Sequence, residues 1–487
     1  MPKRHFRYKT VDDLRRDAER LGIDLPLIED REEVKRRLAR PVEIPSDGGR
    51  MWRIGNSLAI HPMEGCDGEL DGRPGELTFR RYRRFGAGGA KLLWFEACAA
   101  VPEGRANPRQ LWIHPGSAAA LERLLRECRR VHEKEFGSRE GLLCVLQLTH
   151  SGRYSHGKPR VAYRHPILDA YPYANLSNLP PRSAPWEVAS DEYLAALEDS
   201  FVEAARLARE IGFDGVDIKM THGYLLSELL SARARPGSYG GSLENRARFA
   251  LNVLGKMRDR LGKHFLLASR LGVYDGVPYA VSPEDSSAVP RDCPKPYPHG
   301  FGVNPQNPLE PDLSEPLRLI GWMKRAGLKL LNVSLGNPYV NPHLGRPYEK
   351  PNEGLYEPPE HPLLGVARHF AATAEIQRAY PDLAVVGTGY SWLQHFLIHA
   401  GAANLKLGRV TLVGVGRGAL AYPDFARDAL SKGVLNPLRT CKTLSFCTYL
   451  MRQKDHPLGQ FPTGCPPFDR EGYGAVMKEA RAAARKA

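Results

Sequence analysis

The sequence predicts an α/β protein built on a (β/α)8 TIM barrel, with extended loops after its strands and short extensions at both ends. Between about residues 50 and 430, eight short apolar runs alternate with amphipathic, helix-like stretches. Several runs are continuously apolar, as expected of parallel strands covered on both faces. Eight strands that are each followed by a helix suit closure into a barrel.

The apolar runs define the strands and the stretches between them define the helices. Three of these stretches carry apolar residues at helical spacing, at residues 121–131, 194–208 and 249–257. The predicted strands are Ser57–His61, Lys91–Ala97, Leu142–Thr149, Gly215–His222, Leu266–Val273, Lys329–Gly336, Leu383–Gly389 and Thr411–Arg417.

A doubly wound open sheet is the structural alternative. It predicts a glycine-rich dinucleotide-binding turn directly after an early strand. The glycine-rich run Gly86-Ala-Gly88-Gly89 precedes a predicted strand instead. We therefore interpret that run as the end of a helix followed by a turn.

Three long segments interrupt the alternation, and each follows a strand. They run from Arg153 to Ser190, from Val273 to about Leu313, and from Asn337 to Pro362. Loops after barrel strands meet at the face where substrate binds. We expect these loops to act as lids or as walls that set specificity.

The chain divides into three parts by this pattern. Residues 1–45 form a helical extension, with helices expected at Val11–Leu21 and Arg31–Ala39. Residues 46–435 form the barrel. Residues 436–487 form a C-terminal extension that contains Cys441, Cys447 and Cys465.

Composition excludes several classes of protein. Hydrophobic content is 42% and charged content 25% over 487 residues, typical of a globular protein. No apolar run reaches the ~20 residues that cross a bilayer, and the basic start lacks the apolar core of a secretory signal. We therefore expect a cytoplasmic protein without membrane contact. The net charge of +14 is spread widely and accompanies no nucleic-acid-binding motif, so no nucleic-acid partner is predicted.

The run that follows the fourth predicted strand carries the strongest chemical signal. His222 and Tyr224 stand two positions apart, so in an extended segment both side chains project to one side. A histidine and a tyrosine there can hold an oxyanion and supply a proton. The run Tyr239-Gly-Gly-Ser-Leu-Glu-Asn-Arg246 follows, and the two together are more specific than either alone.

Glycines at the seventh and eighth strands indicate a phosphate site. Gly387, Gly389 and Gly416 allow backbone N–H groups to approach a phosphate, and Arg417 adds charge. Tight turns are the alternative explanation. Arg270 interrupts an apolar strand and needs an anion or several acceptors, although a structural ion pair is an alternative.

These runs resemble the Old Yellow Enzyme and flavin-dependent ene-reductase family. The resemblance covers about residues 50 to 430. Further matches, in chain order, are His61-Pro62-Met63, Glu96-Ala97, Gln147-Leu-Thr-His-Ser-Gly-Arg153, Arg270, Gly387-Thr-Gly389 and Gly414-Val-Gly416-Arg417.

The resemblance implies FMN as the cofactor and NADH or NADPH as the reductant. Gln147 then meets the polar edge of the isoalloxazine ring, and Arg270 meets its N1–C2=O edge. Lys219, His222 and Tyr224 become the catalytic residues. The substrate is a small molecule such as an α,β-unsaturated carbonyl compound, and a homo-oligomer stays open. The flavin-binding residues implied are Pro62, Met63, Glu64, Ala97, Gln147, Arg270, Gly387, Gly389, Gly416 and Arg417.

Two positions depart from the family pattern. Lys219 stands where the family usually has a histidine, three positions before His222. Glu64 stands where a small threonine or cysteine is usual, and a carboxylate there disfavours the anionic reduced flavin unless it is neutralised. We expect Glu64 and Lys219 to neutralise each other, which requires a separation within ~4 Å.

These departures keep other functions open. A flavin-dependent dehydrogenase, demethylase or isomerase acting on an anionic substrate is one alternative. A non-redox barrel that binds a phosphate ligand is another. Some longer relatives bind an iron–sulfur cluster through four cysteines near Cys441, Cys447 and Cys465, but Leu444 occupies the region of the missing ligand. We therefore predict no metal site.

Overall fold

Eight parallel strands close into a barrel. The computed structural model describes residues 4–49, 51–169, 186–282, 284, 287–349, 356–453 and 456–485. The barrel strands pair in chain order, and the eighth pairs with the first to close the ring. They are β1 (Leu58–Ile60), β2 (Leu92–Ala99), β3 (Leu143–Thr149), β4 (Gly215–Met220), β5 (Leu266–Gly272), β6 (Leu330–Ser334), β7 (Ala384–Gly387) and β8 (Leu412–Val415).

The predicted fold class is confirmed, and each barrel strand coincides with a predicted run. The largest differences lie at strand ends. β2 continues to Ala99, beyond the predicted end at Ala97, because Cys98 and Ala99 still pair with β3. β4 ends at Met220, earlier than the predicted His222, because the chain then turns.

Helices cover the outside of the barrel between successive strands. The helices that follow β1 to β8 in turn are Glu76–Gly86, Pro115–Phe136, Asp191–Ile211, Leu243–Leu261, Ser314–Arg325, Pro362–Ala379, Leu397–Lys406 and Phe425–Lys432. Shorter helices are Pro166–Asp169, Leu225–Leu230, Pro342–Gly345 and Arg417–Ala421, with 3-10 turns at Pro102–Gly104, Gly152–Tyr154 and Tyr390–Phe396.

Local sequence signals set the ends of these helices. Ser190 accepts a hydrogen bond from the backbone N–H of Tyr193 and so caps the start of Asp191–Ile211. Gly212 ends the same helix in the left-handed conformation, with φ of 101°. The glycine run after Gly86 likewise follows a helix end, as predicted.

A β-hairpin that the sequence did not predict closes the amino-terminal end of the barrel. Strands Val42–Pro45 and Met51–Ile54 pair antiparallel, across the predicted boundary between residues 45 and 46. Trp52 and Ile54 pack in one apolar cluster with barrel residues that include Leu92 and Leu330. Because this end of the barrel is covered, we expect a small-molecule site at the opposite, carboxyl-terminal mouth.

The two chain extensions pack on the barrel. The N-terminal helices are Val11–Arg20 and Arg31–Leu38, close to their predicted ranges. The C-terminal extension contains helices Phe446–Arg452 and Arg470–Ala484. A buried Asp469 accepts from Arg80 at 2.6 Å and fastens this extension to the helix after β1.

The three long loops lie at the carboxyl-terminal face. The loop after β5 contains a hairpin of Tyr279–Val281 with Ala288–Pro290. In the loop after β3, Arg160–Val161 pairs with Glu187–Val188, while residues 170–185 lie outside the described part. No helix in the described ranges is long and apolar enough to cross a membrane.

Candidate active site

A cavity of about 230 Å³ lies at the carboxyl-terminal mouth of the barrel. Its lining comes from barrel strands, from segments that follow barrel strands, and from the C-terminal extension. The structure brings together most of the residues singled out from the sequence: Pro62, Met63, Glu64, Gln147, Lys219, His222, Tyr224, Arg270, Gly389, Gly416 and Arg417.

Two predicted flavin contacts, Ala97 and Gly387, lie outside this lining. Ala97 is fully buried in β2, and its carbonyl accepts from Gln110 at 3.3 Å. A Cβ on Gly387 would lie 2.8 Å from Val410 Cγ1. Gly387 therefore permits close packing against Val410, which is the role of a structural glycine.

Asp217 organises the floor of the cavity from inside β4. It is fully buried and accepts from Trp94 Nε1 at 2.8 Å, from Gln147 Nε2 at 2.5 Å and from the backbone N–H of Arg270 at 2.6 Å. Burial raises the pKa of its carboxyl to about 6. The carboxylate thus orients the Gln147 amide and leaves the Gln147 carbonyl as an acceptor for a ligand N–H.

Arg270 presents a cation with unused donors. Its Nη1 donates to the Pro62 carbonyl at 3.3 Å, while its buried Nε has no hydrogen-bond partner in the described structure. Burial lowers the pKa of this guanidinium to about 10. A buried cation of this kind stabilises an anionic or electron-rich edge of a ligand.

Glu64 and Lys219 form an ion pair across the cavity. Lys219 Nζ lies 2.7 Å from Glu64 Oε1, well within the ~4 Å expected for direct neutralisation. The side chain of Lys219 is only 2% exposed, and that of Glu64 is 15% exposed. Burial lowers the pKa of Lys219, and the carboxylate of Glu64 opposes that change. The pair removes the uncompensated negative charge that Glu64 alone would place in the site.

Tyr224 joins this pair. Its hydroxyl lies 3.1 Å from Glu64 Oε1, and the Lys219 ammonium lies 3.6 Å from the centroid of its ring. Burial and the Glu64 charge raise the pKa of Tyr224 well above its usual range. Tyr224 is therefore a neutral phenol, able to donate a proton.

His222 sits on a turn, which corrects the expectation of an extended segment. β4 ends at Met220, and both His222 and Gly223 have positive φ, 68° and 69°. This backbone conformation is strained for a residue with a side chain and is typical of functional sites. Burial and the neighbouring Arg270, Lys219 and Arg346 cations lower the pKa of His222 well below its usual value. The imidazole is therefore neutral.

Sequence reasoning missed two tyrosines in the cavity wall. Tyr339, from the loop after β6, stacks on Tyr154 with ring centroids 3.7 Å apart. The hydroxyls of Tyr339 and Tyr224 lie 3.3 Å apart. Asn337 donates to the Tyr154 hydroxyl at 3.1 Å and holds this wall in place. The predicted excursion after β6 was the available signal, but no motif marked the tyrosine.

A cationic group lines the cavity near β8. Arg417 Nη2 donates to the Pro347 carbonyl at 2.6 Å, and its buried Nη1 has no partner in the described chain. Gly389, with φ of 93°, and Gly416 bring the backbone to the same lining. Arg346 and Arg452 lie here too, and neither was predicted from the sequence.

The C-terminal extension therefore belongs to the site. Cys447, Thr448 and Arg452 come from the helix Phe446–Arg452 and line the cavity. Burial raises the pKa of Cys441 and of Cys465. Within the described ranges, no group of three metal-ligating side chains could hold an ion.

The residues present fit FMN. The buried and unused donors Arg270 Nε and Arg417 Nη1 both belong to residues of one cavity. Gln147 supplies an amide for the polar edge of a flavin ring, and Gly389 and Gly416 leave room for a phosphate beside Arg417. These are the groups that a ring with a polar edge and a phosphate tail requires.

Comparison with known proteins agrees with this geometry. A sequence model described as the NADH:flavin oxidoreductase / NADH oxidase family matches residues 53–285. An NADPH dehydrogenase from Halalkalibacterium halodurans is 26% identical over 288 residues, which is 58% of this chain and 69% of that protein. Over residues 53–285 the chain is thus similar to the NADH:flavin oxidoreductase / NADH oxidase family.

These matches confirm the resemblance found in the sequence. They support an FMN-dependent NAD(P)H oxidoreductase. The similarity to plant relatives is more local. The 12-oxophytodienoate reductase 1 of Oryza sativa subsp. japonica is 40% identical over 130 residues, covering 26% of this chain and 34% of that protein.

Solved structures share the fold. The Old Yellow Enzyme homologue from Zymomonas mobilis has a TM-score of 0.56 at 19% identity, over 82% of this chain and 94% of that one. A 2-naphthoyl-CoA reductase has a TM-score of 0.64 at 16% identity, over 91% of this chain and 58% of that one. The likeness extends over most of the described barrel.

Proposed function

We propose that this oxidoreductase reduces an electron-poor alkene that is activated by a neighbouring carbonyl group. Bound FMN would accept hydride from NADH or NADPH and supply hydride to the alkene. The residues that would hold FMN are Gln147 and Arg270 at the ring, and Gly389, Gly416 and Arg417 at the phosphate. The observation that carries the proposal is a neutral proton donor, Tyr224, in the same cavity as this set.

His222 is the residue proposed to hold the substrate oxygen. A neutral imidazole has one N–H, which can donate a hydrogen bond to the substrate oxygen. The lowered pKa of His222 keeps it in this form. Lys219 adds positive potential nearby, although Glu64 occupies part of its hydrogen-bonding capacity.

Tyr224 is the residue proposed to protonate the substrate carbon. Loss of its proton leaves a phenolate, which the Lys219 ammonium above the ring stabilises at 3.6 Å. Tyr339, 3.3 Å from the Tyr224 hydroxyl, is then in position to help return a proton. This arrangement separates the oxygen-binding role of His222 from the proton-donating role of Tyr224.

The test uses the purified enzyme and one variant. The protein is expected to show a flavin absorption spectrum, to be bleached by NADH or NADPH without oxygen, and to be reoxidised by an enone. Tyr224→Phe should slow reoxidation by the enone by about 10²–10⁴-fold, the range typical of a general acid, while reduction by the nicotinamide persists. Equal reoxidation of the two proteins would refute the role of Tyr224.

A second direction is supported by Glu64. Its carboxylate lines the cavity, 3.1 Å from the Tyr224 hydroxyl, so a base is in place to remove a proton from a saturated substrate, which is the reverse reaction. Reduction of the enzyme-bound flavin by saturated ketones, without any nicotinamide, would favour this dehydrogenase direction over alkene reduction.

A further inference from the structure

Arg346 is a cavity-lining cation outside the expected flavin-binding set. It directly follows the short helix Pro342–Gly345, in the loop after β6. Its Nη1 donates to the hydroxyl of Thr448, on the helix Phe446–Arg452 of the C-terminal extension. Two separate parts of the chain thus meet to hold this guanidinium in the cavity wall.

The surroundings of Arg346 are cationic. Burial, Arg417 and Arg452 lower the pKa of Arg346 to about 9. No carboxylate in the described ranges forms a salt bridge with it. Arg346 is half-buried. A cation partly withdrawn from water without a counter-ion is costly, and such a group normally meets an anion when the protein is in its working state.

Arg346 also borders the reaction centre. It is among the cations that lower the pKa of His222. Arg452, its neighbour, donates to the Pro338 carbonyl at 2.6 Å, next to Tyr339. Tyr339 in turn touches Tyr224. The row of arginines formed by Arg417, Arg346 and Arg452 therefore extends from the proposed phosphate site toward the proposed substrate site.

The charges that line the cavity do not balance. In the described lining, Glu64 is the one acidic side chain, and its charge is already paired with that of Lys219. The polar edge of a flavin would use Arg270, and its phosphate would use Arg417. Arg346 then remains without an assigned anion, with Arg452 beside it.

We propose that Arg346, supported by Arg452 and Thr448, forms an oxyanion subsite that binds an acidic group carried by the hydride acceptor itself. The proposal rests on the alkene-reducing function above and narrows its substrate class to electron-poor alkenes that also carry a carboxylate or phosphate. A planar guanidinium binds such a group through two parallel hydrogen bonds, which a neutral substrate cannot form.

The test compares two enones that differ by one carboxylate: benzylideneacetone and its para-carboxy derivative. The enzyme should prefer the acid in kcat/KM. Arg346→Met should reduce this preference about tenfold or more, because a hydrogen bond to a charged group contributes about 1.5–3 kcal/mol. Thr448→Val should reduce it less, and Arg346→Lys should restore part of it.

A matched control removes the same net charge elsewhere. Arg126, whose side chain is 66% exposed, lies on the outer helix Pro115–Phe136, far in sequence from the cavity lining. Arg126→Met should leave the acid preference as it is in the parent enzyme. An equal loss of preference in Arg126→Met and Arg346→Met would refute a local subsite.

A second experiment tests whether Arg346 binds the acidic group of the substrate or the phosphate of the cofactor. FMN-free protein is titrated with FMN and with riboflavin. Arg417→Met should lose the preference for FMN, whereas Arg346→Met should keep it. If Arg346→Met loses FMN preference and leaves the acid preference intact, the guanidinium binds the cofactor phosphate and the proposal is wrong.

A binding measurement separates failure of the subsite from failure of the proposed function. The para-carboxy enone is titrated into the oxidised enzyme and followed by the change in flavin absorbance. Binding that weakens in Arg346→Met supports the subsite even if no enone is reduced. Reduction of both enones with equal kcat/KM would refute the subsite and leave the alkene-reducing function standing.

Discussion

The ion pair of Glu64 with Lys219 is expected to be strongly coupled. The two charged atoms lie 2.7 Å apart, and the Lys219 side chain is 2% exposed. At an effective dielectric constant near 20, their attraction is about 6 kcal/mol, much of which offsets the cost of removing both charges from water. Losing one partner leaves an uncompensated buried charge and should cost about 3–5 kcal/mol of unfolding free energy.

A double-mutant cycle measures this coupling. Glu64→Gln and Lys219→Met should each destabilise the FMN-free protein, whereas the double variant should recover about 1–3 kcal/mol of the summed loss. The assay is urea unfolding followed by circular dichroism. The exposed pair Arg318–Glu244, 3.0 Å apart with both side chains 58% exposed, serves as the control and should show coupling below about 1 kcal/mol.

The pH dependence of the unfolding free energy tests the same coupling independently. In Glu64→Gln, the carboxylate no longer opposes the burial of Lys219, so the folded-state pKa of Lys219 falls further below its unfolded value. The folded state then binds fewer protons than the unfolded state, and stability must rise with pH up to about 10. Additive single losses, or a Glu64→Gln protein whose deficit is the same at about pH 7 and about pH 9, would refute the coupling.

Three further predictions concern the cavity floor and His222. Gly414→Ala should cost about 1–3 kcal/mol in thermal unfolding, because the new Cβ would lie 2.2 Å from His61 Cε1; an unchanged melting temperature would contradict this packing. Burial raises the pKa of Asp217 to about 6, so its ionisation opposes folding, and the wild-type protein should lose up to about 3 kcal/mol relative to Asp217→Asn as pH rises from about 4 to about 6. Parallel stability curves for the two proteins would count against a buried, titrating Asp217. Because the pKa of His222 is lowered well below its usual value, kcat/KM should vary with pH in the same way for wild type and for His222→Asn above about pH 6. A fall in kcat/KM towards low pH that is seen only in wild type would show that the imidazole titrates.

Much of the candidate site could be predicted because barrel topology orders the chain. Parallel strands bring their carboxyl ends to one mouth, so residues that follow different strands meet there. Glu64 and Lys219 are 155 positions apart, yet both end up in one cavity for this reason. The departures from the family pattern at these two positions together indicated the ion pair.

The sequence was less informative where no periodic pattern applies. The turn that places His222 follows directly on β4, and a two-residue spacing suggested an extended segment instead. Gly387 matched a family motif, although the structure uses it to pack against Val410. Short motifs identify a region of the chain but leave the conformation of each residue open.

The sequence by itself determined the eight strands and the barrel, because apolar periodicity is a local property of the chain. Barrel topology then brings residues at the ends of different strands into one cavity. Only the tertiary structure decided that Tyr339, Arg346 and Arg452 complete the cavity. These residues belong to irregular loops and to the C-terminal extension. Their positions result from side-chain packing between distant segments, and no local pattern encodes that packing.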